Sequence, residues 1–316
     1  MFYSCSSLTT IDLISFKMPN VLDISYMFYN CANVEKLDLS YFNSSNIIKI
    51  DSIFEKCNAL TSLDLSNFRF INISLPNKLF ESLINLQYLK LSNIYIYKSS
   101  DISNLFINNN NLLSLYLNDF NAENLIVDME TLFQNLNKLK LMDMSNFKIP
   151  VNTNMNNIFS NCKSLISLYL SNFKYIFNGM FKGLNTLTNL KLNNASIHNT
   201  NLSYLFSNLE KLASLDLSQF HAENIEDMSY MFYNCKVIKI LNLSDLNTSN
   251  VKNMTSIFEG CNALLSLHLS NWDFSNIKHP LYLFNNLKVI NYIQMNNGNL
   301  YNILNITNFF SNLKKL

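Results

Sequence analysis

Phenylalanine returns along this chain at an almost constant interval. It stands at Phe2, Phe28, Phe54, Phe80, Phe106, Phe133, Phe159, Phe181, Phe206, Phe232, Phe258, Phe284 and Phe310, with spacings of 26 residues nine times and of 27, 22 and 25 once each. Three residues after each phenylalanine comes Cys or Leu, with Asn109 as the exception, and six, nine and eleven residues after it come Leu, Ile, Val or Met. A unit this short cannot bury both of its apolar edges alone, so the units must stack and share one core.

Each unit divides into two local patterns. The "LxxLxLS" segment, as in Leu60, Leu63 and Leu65, ends in strict alternation and predicts a short strand with its leucines inward. Upstream, Met228, Met231, Phe232 and Cys235 follow helical spacing, with Asp227 or Asn253 placed to cap, which predicts a short helix of about two turns. The four prolines, Pro19, Pro76, Pro150 and Pro280, all fall after one strand and before the next phenylalanine. The shortest unit, Phe159 to Phe181, predicts an irregularity near residues 173–180. No linker divides the chain, so residues 1–316 read as a single solenoid of about twelve repeats, truncated at both ends.

Composition narrows the function classes. Lys plus Arg is 23 against 22 for Asp plus Glu, a net charge of +1, which gives no basic footprint for nucleic acid. Arg69 is the one arginine, so bidentate phosphate clamps are nearly excluded. No apolar run approaches the ~20 residues of a membrane helix, so no membrane insertion is expected of this segment. Asparagine, about 55 residues, is the main excess.

The units read "ISYMFYNCANVEKLDLSYFNSSNI" at 24–47 and "MSYMFYNCKVIKILNLSDLNTSNVKNM" at 228–254. The chain resembles the BspA-like leucine-rich-repeat surface proteins, including the tandem-repeat surface lipoproteins of mycoplasmas. The expected fold is α/β, a leucine-rich-repeat solenoid: a curved right-handed stack of 26-residue units with one parallel sheet of short strands and short helices opposite. The resemblance implies a surface-exposed or secreted, adhesin-like, non-enzymatic binding module. The residues present no signal peptide, which leaves an intracellular, cytoplasmic interaction scaffold as the alternative.

Chemistry is sparse. Cys5, Cys31, Cys57, Cys162, Cys235 and Cys261 share one column with leucines, which reads as an apolar slot of buried free thiols. No CxxC or His–Cys spacing points to zinc, and His198, His221, His268 and His279 fall in four different columns, so no metal, cofactor or catalytic residue is expected. Asp12, Asp38 and Asp64 would stand one strand apart on the sheet, an arrangement seen with polysaccharide-cleaving carboxylates, but their neighbours are Thr10, Ser62 and the single Lys36, which does not make a catalytic set. The outward strand positions are more informative. Tyr88, Lys90, Tyr116, Tyr169 and Lys191 form the expected contact patch for a protein or glycan ligand on the concave sheet, because tyrosine gives large contact area at low ordering cost.

Overall fold

A computed structural model of the chain describes all residues except 17–19, 43–44, 71–73, 98–100, 124–128, 151–152, 154, 156, 198, 278–282, 285–286, 300–312 and 314–316. Phe310, Pro19, Pro280, His198 and His279 therefore lie outside the described residues. Two compact units are present, Met1–Leu165 and Ile166–Leu316.

The first unit holds β1 (Lys36–Asp38), β2 (Ser62–Asp64), β3 (Arg69–Phe70), β4 (Tyr88–Lys90), β5 (Tyr95–Ile96), β6 (Ser114–Tyr116) and β7 (Leu141–Asp143). The second holds β8 (Ser167–Tyr169), β9 (Asn189–Lys191), β10 (Ser196–Ile197), β11 (His221–Ala222), β12 (Ile240–Asn242), β13 (Ser266–His268) and β14 (Tyr292–Gln294). In the first unit β1, β2, β4, β6 and β7 pair in parallel, with Leu37, Leu63, Leu89, Leu115 and Met142 in register. That register follows from the alternation: a slip of one residue would turn every one of these buried side chains into water. A second parallel ladder, β3 with β5, runs along the connectors. In the second unit β8 pairs with β9, β10 with β11, and β12, β13 and β14 with one another. Residues 214–216 carry the leucine pattern but form no ladder, so the second unit has separate sheets where one was expected.

No helix occurs among the described residues, which corrects the short helices expected opposite the sheet. The helical spacing of apolar residues is met instead by a string of turns. Met27, Tyr29 and Cys31 N–H groups donate to the carbonyls of Ile24, Tyr26 and Phe28, three residues back. The intervening N–H groups of Tyr26, Phe28 and Asn30 leave the coil and donate to Asp51, Ile53 and Glu55 of the next one, at 2.9, 3.2 and 2.9 Å. Tyr26 and Asn30 have φ of 58° and 56°, a left-handed step that interrupts a helix after each turn. Ile24, Met27, Phe28 and Cys31 still all face inward. The expected caps act as Asx turns, with Ser229 N–H donating to Asp227 Oδ1 at 2.8 Å and Thr255 N–H to Asn253 Oδ1 at 3.1 Å.

This backbone accounts for part of the asparagine. Twelve of the twenty described non-glycine residues with positive φ are Asn, among them Asn67, Asn93, Asn146 and Asn172, each two residues after the buried Leu or Met that follows a strand. Asparagine tolerates the left-handed region better than other side chains of its size. Its amide then ties coils together, as Asn93 Nδ2 does to Asn67 Oδ1 at 2.8 Å.

Phenylalanine rings stack inside each unit. In the first, the centroids lie 6.2 Å apart for Phe28–Phe54, 6.2 Å for Phe80–Phe106, 5.9 Å for Phe106–Phe133 and 6.1 Å for Phe133–Phe159. In the second they lie 5.6, 5.4, 6.0 and 6.2 Å apart from Phe181 through Phe206, Phe232 and Phe258 to Phe284.

The cysteine column is more than an apolar slot. All six cysteines are free, and Cys31, Cys57, Cys235 and Cys261 place Sγ 3.0, 3.0, 3.1 and 3.2 Å from the carbonyl of the phenylalanine 29 residues earlier. Asn109 occupies the same slot and uses Nδ2 in the same way, donating to Phe80 O at 3.0 Å and Leu83 O at 3.1 Å, while its fully buried Oδ1 has no partner. Replacing Asn109 by Cys keeps the donor to Phe80 O, gives up the bond to Leu83 O and removes the orphaned acceptor. It is expected to raise stability by about 1 kcal/mol, since an unsatisfied buried acceptor costs about 1–3 kcal/mol. An unchanged or lowered midpoint in urea would contradict this. Burial pushes the Cys57, Cys162 and Cys235 thiols up to about 12. Native thiols at these positions are therefore expected to resist labelling by maleimide until the chain unfolds. Rapid labelling of Cys162 in the native state would refute the burial.

Candidate functional site

The strand faces carry the side chains that alternation turns away from the core. In the first unit, Lys90 and Tyr116 are register partners on β4 and β6, and the Tyr88 and Tyr116 rings lie 5.3 Å apart at 46°. Lys90 Nζ sits 3.5 Å from Asp64 Oδ2. Partial burial pushes the Tyr88 phenol above its ordinary value, and Tyr116 and the carboxylates of Asp64 and Asp38 push it further the same way. A shallow depression of about 400 Å³ adjoins Tyr88 and is floored by Asp12, Lys36, Asp38 and Asp64. In the second unit, Tyr169 and Lys191 are register partners on β8 and β9. Lys191 Nζ stands 5.0 Å over the Tyr169 ring, and Asn189 Nδ2 donates to the Tyr169 hydroxyl at 3.2 Å. Of the residues expected to form the contact patch, Tyr88, Lys90 and Tyr116 lie together in the first unit, and Tyr169 and Lys191 lie side by side in the second. Each aromatic side chain is half-buried and Lys191 is exposed.

The carboxylate column has a structural occupation. Asp12, Asp38, Asp64 and Asp143 each accept, through Oδ1, the N–H two residues on, from Ile14 at 3.0 Å, Ser40 at 2.9 Å, Ser66 at 2.8 Å and Ser145 at 2.9 Å. Asp216 does the same with Ser218, and hydrogen bonds from the Ser218 backbone and hydroxyl hold its carboxyl below the usual range. These aspartates turn the chain where each leucine-pattern segment ends. On the strand face of the second unit, His268 Nδ1 lies 2.7 Å from Gln294 Oε1 and Nε2 lies 3.1 Å from Ser266 Oγ. Among the described residues no group of three His, Cys, Asp or Glu is placed to hold a metal ion, and no helix is long and apolar enough to cross a membrane.

Sequence reasoning missed a second aromatic surface on the turn side. Tyr3 stacks on Tyr29 at 5.0 Å and Lys56 Nζ lies 5.0 Å from the Tyr29 ring. In the second unit Tyr204 stacks on Tyr230 at 4.8 Å. The "SYMFYN" segments carried the signal, since both tyrosines recur at the same distance from phenylalanine.

The family described as "Mycoplasma protein of unknown function, DUF285" matches residues 1–89 and 200–316, and the family described as "BspA type Leucine rich repeat region" matches residues 103–235 in six copies. No curated protein matches the chain. Among solved structures, the chain is similar to a TLR13–ssRNA13 complex (22% identity, 90% of this chain and 45% of that one, TM-score 0.48) and to an internalin, inlF, of Listeria monocytogenes (18%, 94% and 84%, 0.48). It is also similar to the mouse RP105/MD-1 complex (20%, 90% and 50%, 0.46). The chain spans about half the length of the TLR13 and RP105/MD-1 chains.

The coils differ in their turn-side hydrogen bonding. Coils that start at Phe2 and Phe28, and again at Phe206 and Phe232, donate turn-side N–H groups to the following coil, as from Phe232 to Ile257 O at 2.9 Å. Coils at Phe80, Phe106 and Phe133 show no such bonds among the described residues.

Proposed function

The chain belongs to the mycoplasma family DUF285 and carries BspA-type leucine-rich repeats, and from that premise we propose that it is a surface-exposed, non-enzymatic module that binds a protein partner through its strand face. The observation that carries the reading is the Tyr88–Tyr116 pair. Leu89 and Leu115 hold the core, whereas the two tyrosine rings touch each other on the outer face and contribute to no ladder beyond their backbones. Half-buried aromatics beside a lysine–aspartate pair suit a protein-binding surface, where tyrosine is enriched among the residues that carry the binding energy. A non-enzymatic role is supported by the aspartate column, whose Oδ1 atoms are engaged in turns rather than free to act as acid or base.

Tyr88→Ser with Tyr116→Ser is expected to abolish most binding to membrane-protein extracts of cultured animal cells, at least ten-fold in affinity, with an unchanged melting transition. Undiminished binding by a folded double variant would put the contact on another face. Adding Tyr169→Ser then measures whether the second unit's pair takes part.

A further inference from the structure

The first unit contains an opened seam on its turn side. Between the coils of Phe28 and Phe54, three N–H groups of one coil meet three carbonyls of the next. The equivalent donors one coil later, Ser52, Phe54 and Lys56, find no backbone acceptor among the described residues. The phenylalanine stack breaks at the same place: Phe28–Phe54 and Phe80–Phe106 are in ring contact, and Phe54–Phe80 is not. A cleft of about 320 Å³ opens there, walled by Asp51, Ser52, Phe54 and Glu55 on one side and Pro76 and Leu79 on the other. Two independent ladders thus stop together, and a space lies where they stop.

We propose that this cleft is a binding site for an extended segment of a basic polypeptide, laid between the two coils as a further coil would be. Ser52 and Phe54 offer backbone N–H donors at alternate residues, the arrangement in which, one coil earlier, Tyr26, Phe28 and Asn30 donate to the carbonyls of Asp51, Ile53 and Glu55. Backbone addition of this kind supplies affinity through main-chain bonds and leaves specificity to the flanking side chains. Those flanks are acidic. Asp51, Glu55 and Glu81 line the cleft against Lys78 alone, and Lys78 is committed to Glu81 at 3.1 Å. No salt bridge engages Asp51 or Glu55 among the described residues, so lysine or arginine on the incoming segment finds two carboxylates waiting. The cleft has room for a few residues of backbone, which fits an extended segment rather than a folded element. It lies on the turn side, so it is a surface separate from Tyr88 and Tyr116.

The test uses the full chain, isotope-labelled, with an acetylated and amidated octapeptide alternating lysine and valine. The peptide is expected to slow hydrogen exchange at the Ser52 and Phe54 amides at least ten-fold, and its glutamate–valine counterpart is expected to leave them unchanged. Asp51→Asn with Glu55→Gln, both at the exposed rim, is expected to weaken binding about five-fold, the combined effect of two surface charge pairs. Leu79→Trp fills the cleft from its wall and is expected to abolish protection. Equal protection by both peptides, or none at millimolar peptide, would overturn the proposal. Protection that rises with protein concentration without peptide would give the seam to a second copy of the chain and overturn it as well.

Discussion

Leu168→Asp is expected to unfold the second unit, while Ser167→Asp, one residue earlier, leaves the melting transition almost where it was. Both residues lie in β8, but Leu168 is fully buried and Ser167 is on the outer face. Aspartate at 168 removes a buried leucine side chain, worth about 2–3 kcal/mol of transfer free energy, and leaves either a buried charge or a neutral acid without partners. The sum is several kcal/mol, a large part of the stability of any domain this size. A surface substitution such as Ser167→Asp stays within about 0.5 kcal/mol. Circular dichroism melts of the two variants check this, and similar losses in both would show that the strand phase is wrong by one residue.

Phe232→Ala is expected to cost about 3–5 kcal/mol. Phe232 touches Phe206 at 5.4 Å and Phe258 at 6.0 Å, so its removal leaves a void with an aromatic ring on each side. Phe54 stacks on one side only, on Phe28, and faces the cleft on the other. Phe54→Ala should therefore cost distinctly less, and urea unfolding of the pair decides it. Equal costs would mean that ring stacking adds little to burial.

The parallel strands were readable in the alternation of Leu63 and Leu65 because a side chain's face is set by counting in twos. The turn side was not readable in the same way. Ile24, Met27, Phe28 and Cys31 satisfy a helix and a string of turns equally well, since both return a side chain inward every three to four residues. What separates them is backbone sign at Tyr26 and Asn30, and apolar spacing carries no information about that. The asparagines did carry it, but a residue in such excess looks like composition rather than conformation until φ is known. At the candidate site, Tyr88 and Tyr116 were legible because adjacent strands bring residues one repeat apart into contact. Tyr169 and Lys191 were legible as a pair for the same reason. The turn role of the carboxylates was not legible, because "LDLS" shows an outward aspartate without showing that its Oδ1 accepts the N–H two residues on.

In the coils of Phe28, Phe206 and Phe232 turn-side bonds join one coil to the next, and this has a genetic consequence. Tyr230 bonds to Thr255 and Phe232 to Ile257, both 25 residues ahead. A deletion of a few codons inside such a coil shifts every donor against its acceptor. A recombination event that removes or adds one entire repeat leaves each surviving coil facing a neighbour of the same length. Genes for proteins built this way can therefore shorten and lengthen by whole repeats with little loss of foldability, while small frame-preserving indels are purged. Allelic variants of this chain should differ in steps of one repeat, with the shorter steps confined to the connectors after each strand.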